Sequence, residues 1–472
     1  MKKRPPPAVA VKPAQAEPDK PFVLPPNIVE AAPPAADPPA AAPLPPRSKE
    51  APLANLLAEA QAAEFNLPTI DEARVASAGI RKVSGKHLTL YTDIPPGEVD
   101  ELPAVFDAAV PLWCEYFGVD PAKVADWRIV GYAILAKERF KNAGLIPENL
   151  PGFPAGYSQG SQFWLYDQPS GYYRRHLTLH EGTHCLMNRW LGGAGPPWYM
   201  EGLAELLGTH EWAGGKLNLA IMPRTKEEVP YWGRVKIIKD EAAADRGLML
   251  NEIMRYDAHA HLRNEPYGWC WGATAFLDAH PATQAAFRDL KRETKDRTID
   301  FSKRFYDRLK PQWQNISEDW QLFVLHCDYG YDFARSATVR KLAEPLPAAG
   351  AVATISADRG WQSTGWKLEA GKTYVLTATG RYQVAAGPPA WPCEAGGITL
   401  RYHEHRPLGM LLAAVADLEM PVVITPLNQP QPIGLSGEIT PAATGTLYLS
   451  INEASSGLAD NSGSLTVEIR GK

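Results

Sequence analysis

The chain has 472 residues, 45% hydrophobic and 21% charged, with a formal net charge of −5, which gives room for two or three globular domains of ordinary composition. The acidic balance and the lack of any basic run argue against a nucleic-acid partner. No apolar stretch approaches the roughly 18 residues of a membrane span.

Residues 1–50 hold 15 of the 44 prolines and 11 alanines with no periodic apolar pattern, which predicts an extended, disordered tether. The chain opens Met1-Lys2-Lys3-Arg4, like the basic start of a signal peptide. Pro5-Pro6-Pro7 then stands where an apolar core of about 7–15 residues belongs, so no intact signal peptide is present. A Pro/Ala tether ahead of folded domains is nonetheless typical of exported proteins, and an extracytoplasmic location is expected. The five cysteines are scattered, odd in number and without CxxC spacing, and read as buried free thiols.

Leu53 to Phe65 reads as a short amphipathic helix. Residues 81–93 alternate as a strand, 98–117 as a helix ending near Phe117-Gly118, Trp127–Leu135 as a second strand and Ser161–Tyr166 as a third. Next comes His180-Glu181-Gly182-Thr183-His184 on a segment whose apolar body is Leu177, Leu179, Cys185, Leu186 and Trp190. Gly192-Gly193 and Pro196-Pro197 end it. A second helix is predicted from Trp198 to Leu207, carrying Glu201 and Glu205. Arg234–Arg263 is expected to be at least partly helical, Tyr267–Asp278 helical, and Trp320–Ala334 one helix more.

Residues four apart on a helix stand one above the other, so His180 and His184 can face one ion. Glu181 lies about 100° round the helix, where it reaches a water on the metal rather than the metal itself. Zinc lowers the pKa of such a water from about 15.7 towards 7, and a neighbouring carboxylate can take its proton. Glu201 is the candidate third ligand, leaving one position open. Glu205, one turn on, suits a hydrogen bond to a ligating imidazole. Cys185 adjoins His184 but points away from this stripe.

HEGTH followed by Pro196-Pro197-Trp198-Tyr199-Met200-Glu201-Gly202-Leu203-Ala204-Glu205 resembles the gluzincins, and more narrowly the peptidase-MA-like proteins of the DUF1570 type. The likeness extends from about Leu88 to about Arg335 and takes in Gly156-Tyr157 and Phe163–Tyr166, which look like an edge strand beside a substrate cleft. It implies that His180, His184 and Glu201 bind Zn2+, that Glu181 is the general base, and that the substrate is a peptide or protein. It also implies a mixed sheet followed by a helical subdomain with the HExxH helix at their border, within residues 51–346. Tyr267 stands where relatives carry a Tyr. It is either a donor to the oxyanion of the tetrahedral intermediate or a half-buried aromatic at a helix start. His259 and His261 are two apart and so diverge on helix or strand alike. His210 either lines the cleft or caps a helix end.

From about Ala349 short alternating runs separated by Gly, Pro and Asn predict an antiparallel β-sandwich over 349–472: Val352–Ile355, Thr373–Thr379, Gly397–Tyr402, Met410–Val415, Val422–Ile424, Leu447–Ile451 and Ser464–Ile469. The chain is thus expected to be α+β. Leu447–Glu453 with Asp460–Val467, and Gly371–Gly380 before them, resemble the PA-IL-type galactophilic lectin. That resemblance implies Ca2+ held by Glu453, the Gly457 carbonyl, Asp460 and Asn461, with a glycan as partner; oxygen donors on one loop suit calcium. Two departures stand out: Glu453 replaces an Asp, and the sugar-contacting His-Pro loop is not recovered. Asp460-Asn461-Ser462-Gly463 also reads as a plain hairpin turn. Two functions follow: a zinc peptidase docked by its C-terminal module, or a non-catalytic zinc-containing binding or adhesion protein.

Overall fold

The computed structural model describes residues 65–472 apart from 149, 258, 261–262, 388 and 417–423. The tether over 1–50, nearly all of the helix expected at Leu53–Phe65, His261 and most of the strand at Val422–Ile424 lie outside the described residues.

The chain is mixed α+β. Its first sheet contains β1 (Arg81–Ser84), β2 (Leu88–Thr92), β3 (Ile129–Ile134), β4 (Gly156–Gln159) and β5 (Gln162–Tyr166), in the order β1-β2-β3-β5-β4. β2, β3 and β5 run parallel, and both outer strands are antiparallel to their neighbours. The single strand expected over 81–93 is therefore a hairpin. Ser84-Gly85-Lys86 breaks it, and Asp107 holds the turn by accepting from the Lys86 and His87 amides at 2.6 and 2.7 Å. β4 is one edge of the sheet, whereas Phe163–Tyr166, expected at the edge with it, lies one strand inward.

The main helices are α1 (Leu102–Phe117), α2 (Gly171–Leu186), α3 (Pro197–Gly208), α4 (Arg234–Ala243), α5 (Glu265–Ala279), α6 (Ile299–Leu309) and α7 (Trp313–His326). Glycines let them approach closely. A Cβ at Gly182 of α2 would lie 2.6 Å from Trp113 and 2.7 Å from Phe106 on α1. One at Gly202 of α3 would collide with Thr274 on α5, whose hydroxyl donates instead to the Gly202 carbonyl at 2.8 Å. The segment 234–263, expected to be at least partly helical, holds Arg234–Ala243 and a short turn at Leu250–Ile253. α7 begins seven residues before the expected Trp320 and stops at His326, because Cys327 leaves helical geometry at ψ 113°.

Beyond residue 344 two sheets enclose one core. The first orders Gln431–Pro432, Leu411–Ala416, Gly445–Ile451, Gln362–Leu368 and Glu344–Pro345; the second orders Ser436–Ile439, Tyr374–Thr379, Ser464–Gly471 and Ala351–Ser356. Leu376, Leu411, Leu449, Val467 and Ile469 from both sheets fill the space between them. The first sheet's outer face meets α7: Leu322 packs with Trp361, Leu412, Leu427 and Tyr448, and the Gln321 side chain accepts from the Thr425 amide at 2.9 Å. All five cysteines are buried and free. Among the described residues no helix is long and apolar enough to cross a membrane.

Candidate metal centre

α2 is launched by Ser170, whose hydroxyl accepts from the Tyr173 amide at 3.1 Å, an ordinary N-cap. It closes in a π-helical turn, Met187–Leu191, that ends on left-handed Gly192. α3 begins with Pro197 in its first turn, where proline loses no hydrogen bond. The two helices pack side by side and bring His180, His184 and Glu201 together, all three buried. Nε2 of His180 lies 3.2 Å from Nε2 of His184 and 3.2 Å from Oε2 of Glu201, and the last edge of the triangle is 3.6 Å. Glu201 Oε2 and His184 Nδ1 have no hydrogen-bond partner.

Four ligands placed tetrahedrally at zinc's usual distance of about 2.0–2.1 Å stand about 3.3 Å from one another. The observed edges match that spacing, and the donor set, two imidazole nitrogens and one carboxylate oxygen, suits a catalytic divalent ion. The residues fit such a group.

Glu205 sits behind His180. Its Oε1 is 3.3 Å from His180 Nδ1, and its Oε2 is 3.3 Å from His176 Nε2. Arg234 grips both carboxylate oxygens, at 2.7 Å through Nε and 2.9 Å through Nη2. Burial alone would raise the Glu205 pKa, but Arg234 and His176 hold it well below the ordinary carboxylate range. Glu201 shows the same balance: burial raises it, and His184 and His180 more than compensate. Glu181 goes the other way. Burial pushes its pKa up, and His180 and His184 offset only part of that. Ser158 on β4 also draws that pKa down, and a Cβ at Gly156 would collide with Glu181 Oε1. The edge strand and Glu181 therefore share one wall.

Tyr267 opens the first turn of α5. Its ring lies 6.3 Å from that of His180, and the Arg234 guanidinium sits over it at 5.6 Å. Burial, with the charges of Glu201, Glu205 and Glu181, keeps the phenol protonated well above its ordinary range. His210 is buried, stacked 4.6 Å from Tyr172 and tied to the Gly208 carbonyl at 2.8 Å. His259 is exposed beside Asp257. Cys185 is buried with Sγ toward the Gln162 carbonyl. Two residues of this centre were not anticipated. His176 lies one turn before His180 on the same stripe, a spacing visible in the sequence. Arg234 arrives from 29 positions beyond Glu205 through an irregular loop, with no local signal.

In the C-terminal part Glu453 Oε1 accepts from the Ala454 amide at 3.0 Å, while its Oε2 is buried without a partner. Asn461 donates to the Ala357 carbonyl at 3.0 Å, and its Oδ1 is likewise unpartnered. Gly457 leaves room for the Glu453 carboxylate, since a Cβ there would lie 2.6 Å from Oε1. Asp460 is exposed. A cavity of about 340 Å³ lies between α7 and the first C-terminal sheet, lined by His326, Trp361, His403, Glu404 and Glu453 among others. None of the His/Glu centre lines it.

Neither a protein-family model nor a curated protein matches the chain. Among solved structures it is similar to the N-terminal domain of EclA, described as a PllA-like lectin, at 22% identity and a TM-score of 0.20 over 26% of this chain and 95% of that one. It is also similar to IMPa from Pseudomonas aeruginosa, solved in complex with an O-glycopeptide, at 9% identity and a TM-score of 0.16 over 84% of this chain. The chain spans 44% of that protein's length. At such low scores the chemistry of the site rests on its own geometry.

Proposed function

We propose that the protein is a zinc-dependent peptidase of gluzincin type. The observation that carries this reading is the triangle of His180 Nε2, His184 Nε2 and Glu201 Oε2, with edges of 3.2, 3.2 and 3.6 Å. These three residues would hold the ion. Zinc in such a site polarises a carbonyl and lowers the pKa of water towards about 7.

The chain's own groups supply the rest. Glu181 is the general base: it takes the proton from the attacking water and returns it to the leaving amine. Its burial, which raises its pKa, favours its holding that proton between the two transfers. A structural metal site has no use for such a base. Tyr267, still protonated, donates to the oxyanion. An extended peptide adds to the outer edge of β4, where backbone hydrogen bonds fix its register beside Glu181. Glu205 orients the His180 ring from behind.

The C-terminal sheets act in this reading as a lectin-like module that docks the enzyme on a glycan. Glu453, the Gly457 carbonyl, Asp460 and Asn461 would hold its calcium ion. The orphaned oxygens Glu453 Oε2 and Asn461 Oδ1 support a cation there, because buried acceptors without partners are rare. A calcium-dependent rise in melting temperature, absent in Glu453→Gln, is the expected sign of that site.

The test of the peptidase is kinetic. The purified full chain is presented with a peptide library, and Glu181→Gln serves as its control. Cleavage by the native chain and its loss in Glu181→Gln, with zinc content unchanged, are expected. Stoichiometric zinc without Glu181-dependent cleavage of any peptide would sink the proposal.

A further inference from the structure

His176, His180 and His184 form a row of three imidazoles at four-residue spacing on α2, and all three are buried. The row offers two groupings of ligand atoms that share His180. One is His180, His184 and Glu201; the other is His176, His180 and Glu205. A helix stripe of this kind could hold two ions side by side. What separates the groupings is Arg234.

The Arg234 guanidinium is buried and bonds both Glu205 oxygens. Its third nitrogen, Nη1, donates to the Trp232 carbonyl at 3.0 Å. The backbone leading to it is bent, with Tyr231 at φ 69° and Gly233 at φ 68°, so the side chain enters the core directly from the loop. A planar guanidinium is always charged and binds a carboxylate through two parallel bonds. An ion in the second grouping would have to share Glu205 with that fixed cation. The first grouping has no such competitor: among the described residues no arginine or lysine pairs with Glu201, whose Oε2 faces His180 and His184.

The same contact places a carboxylate behind His180. Pinned by Arg234, Glu205 holds Oε1 3.3 Å from His180 Nδ1, which has no other hydrogen-bond partner. A proton on Nδ1 leaves the Nε2 lone pair for the first grouping, the usual way a carboxylate selects the tautomer of a ligating histidine. His176 donates from Nδ1 to the Gly208 carbonyl at 2.9 Å, which leaves its Nε2 facing Glu205 Oε2 at 3.3 Å, so the exclusion of a second ion falls to Arg234 alone.

We propose that Arg234 is a positioning residue: it locks Glu205 as the orienting carboxylate of His180, so that the three-histidine row holds one metal ion and not two. The inference rests on the zinc-site reading above and deepens it.

The native full chain, stripped of metal and titrated with Co2+, is expected to take up one equivalent with a single set of d–d bands. Two tightly bound, magnetically coupled ions per chain would overturn the inference. Zinc affinity, measured by competition with a chromophoric chelator, is compared in Arg234→Lys, Glu205→Gln and the double variant. Each single variant is expected to lose about 10–100-fold, and the double variant no more than Glu205→Gln alone, because Arg234 acts through Glu205. Additive losses, or an unchanged affinity in Arg234→Lys, would refute the role. If Arg234→Lys does not fold, the cobalt stoichiometry of the native chain decides. A native chain that binds no stoichiometric metal defeats the zinc reading itself, whereas one equivalent with additive variants defeats only the role of Arg234.

Discussion

Gly156→Ala separates the geometry of the base from the stability of the fold. The added Cβ collides with Glu181 Oε1 and lies 3.2 Å from the carboxyl carbon. Ordinary contact is about 3.5 Å or more, so the carboxylate must retreat by on the order of 1 Å. The atom that yields is the far end of a side chain, and Gly156 is a strand residue without a positive φ. Its change to alanine is therefore expected to alter stability by less than about 1 kcal/mol. A displacement of about 1 Å at a reacting group costs roughly 100-fold in rate, or about 2.7 kcal/mol of barrier. The assay is kcat/KM on a peptide the native chain cleaves, with melting temperature and zinc content measured on the same samples. A fall of about 100-fold carried by kcat, with both other readings unchanged, is expected. Activity within threefold of native would refute the placement of Glu181 against β4.

Four further outcomes are expected. Gly182→Ala drives its Cβ into the rings of Trp113 and Phe106; these cannot swing aside, so the loss appears as about 1–3 kcal/mol of stability in denaturant titrations. Gly202→Ala pushes α3 away from Thr274 and the Cys270 carbonyl, and should lower both melting temperature and zinc affinity, since Glu201 is the adjacent residue. Trp361→Ala opens a void in the contact between α7 and the C-terminal sheet and is expected to cost about 3 kcal/mol, read by thermal melting. Asp296 is held at about 2, first by the Thr298 hydroxyl and amide and then by Arg304. Its folded pKa lies below the unfolded value of about 3.9, so its stabilisation is present above that value and fades as pH falls through about 2. The stability difference between native and Asp296→Asn should be full at pH 5 and shrink steadily toward pH 2.

Helical periodicity made much of the centre legible. His180, His184, Glu201 and Glu205 lie at spacings that place each pair on one helix face, and the apolar residues around them fix which face is inside. His176 obeys the same rule, one turn before His180. Ile299–Leu309 was also within reach, since Phe301, Phe305 and Leu309 repeat every four residues and are all buried. Arg234 was not. Its partner lies 29 positions away, and an arginine heading a short helix ordinarily reads as a solvated charge. The strand at Gln362–Leu368 was hidden by Gly365, left-handed at φ 82°, where the register with Gly445–Ile451 shifts. Ser436–Ile439 was hidden by its length and by Gly437. Local pattern reports faces and periods; it does not report which residue crosses a loop to neutralise a buried charge.

Anomalous diffraction from crystals grown with zinc, recorded above and below the zinc edge, tests the central claim most directly. A single peak within ligand distance of His180 Nε2, His184 Nε2 and Glu201 Oε2 is expected, with Glu205 still paired to Arg234. A peak between His176 and Glu205, or none at the three ligand atoms, would contradict the account.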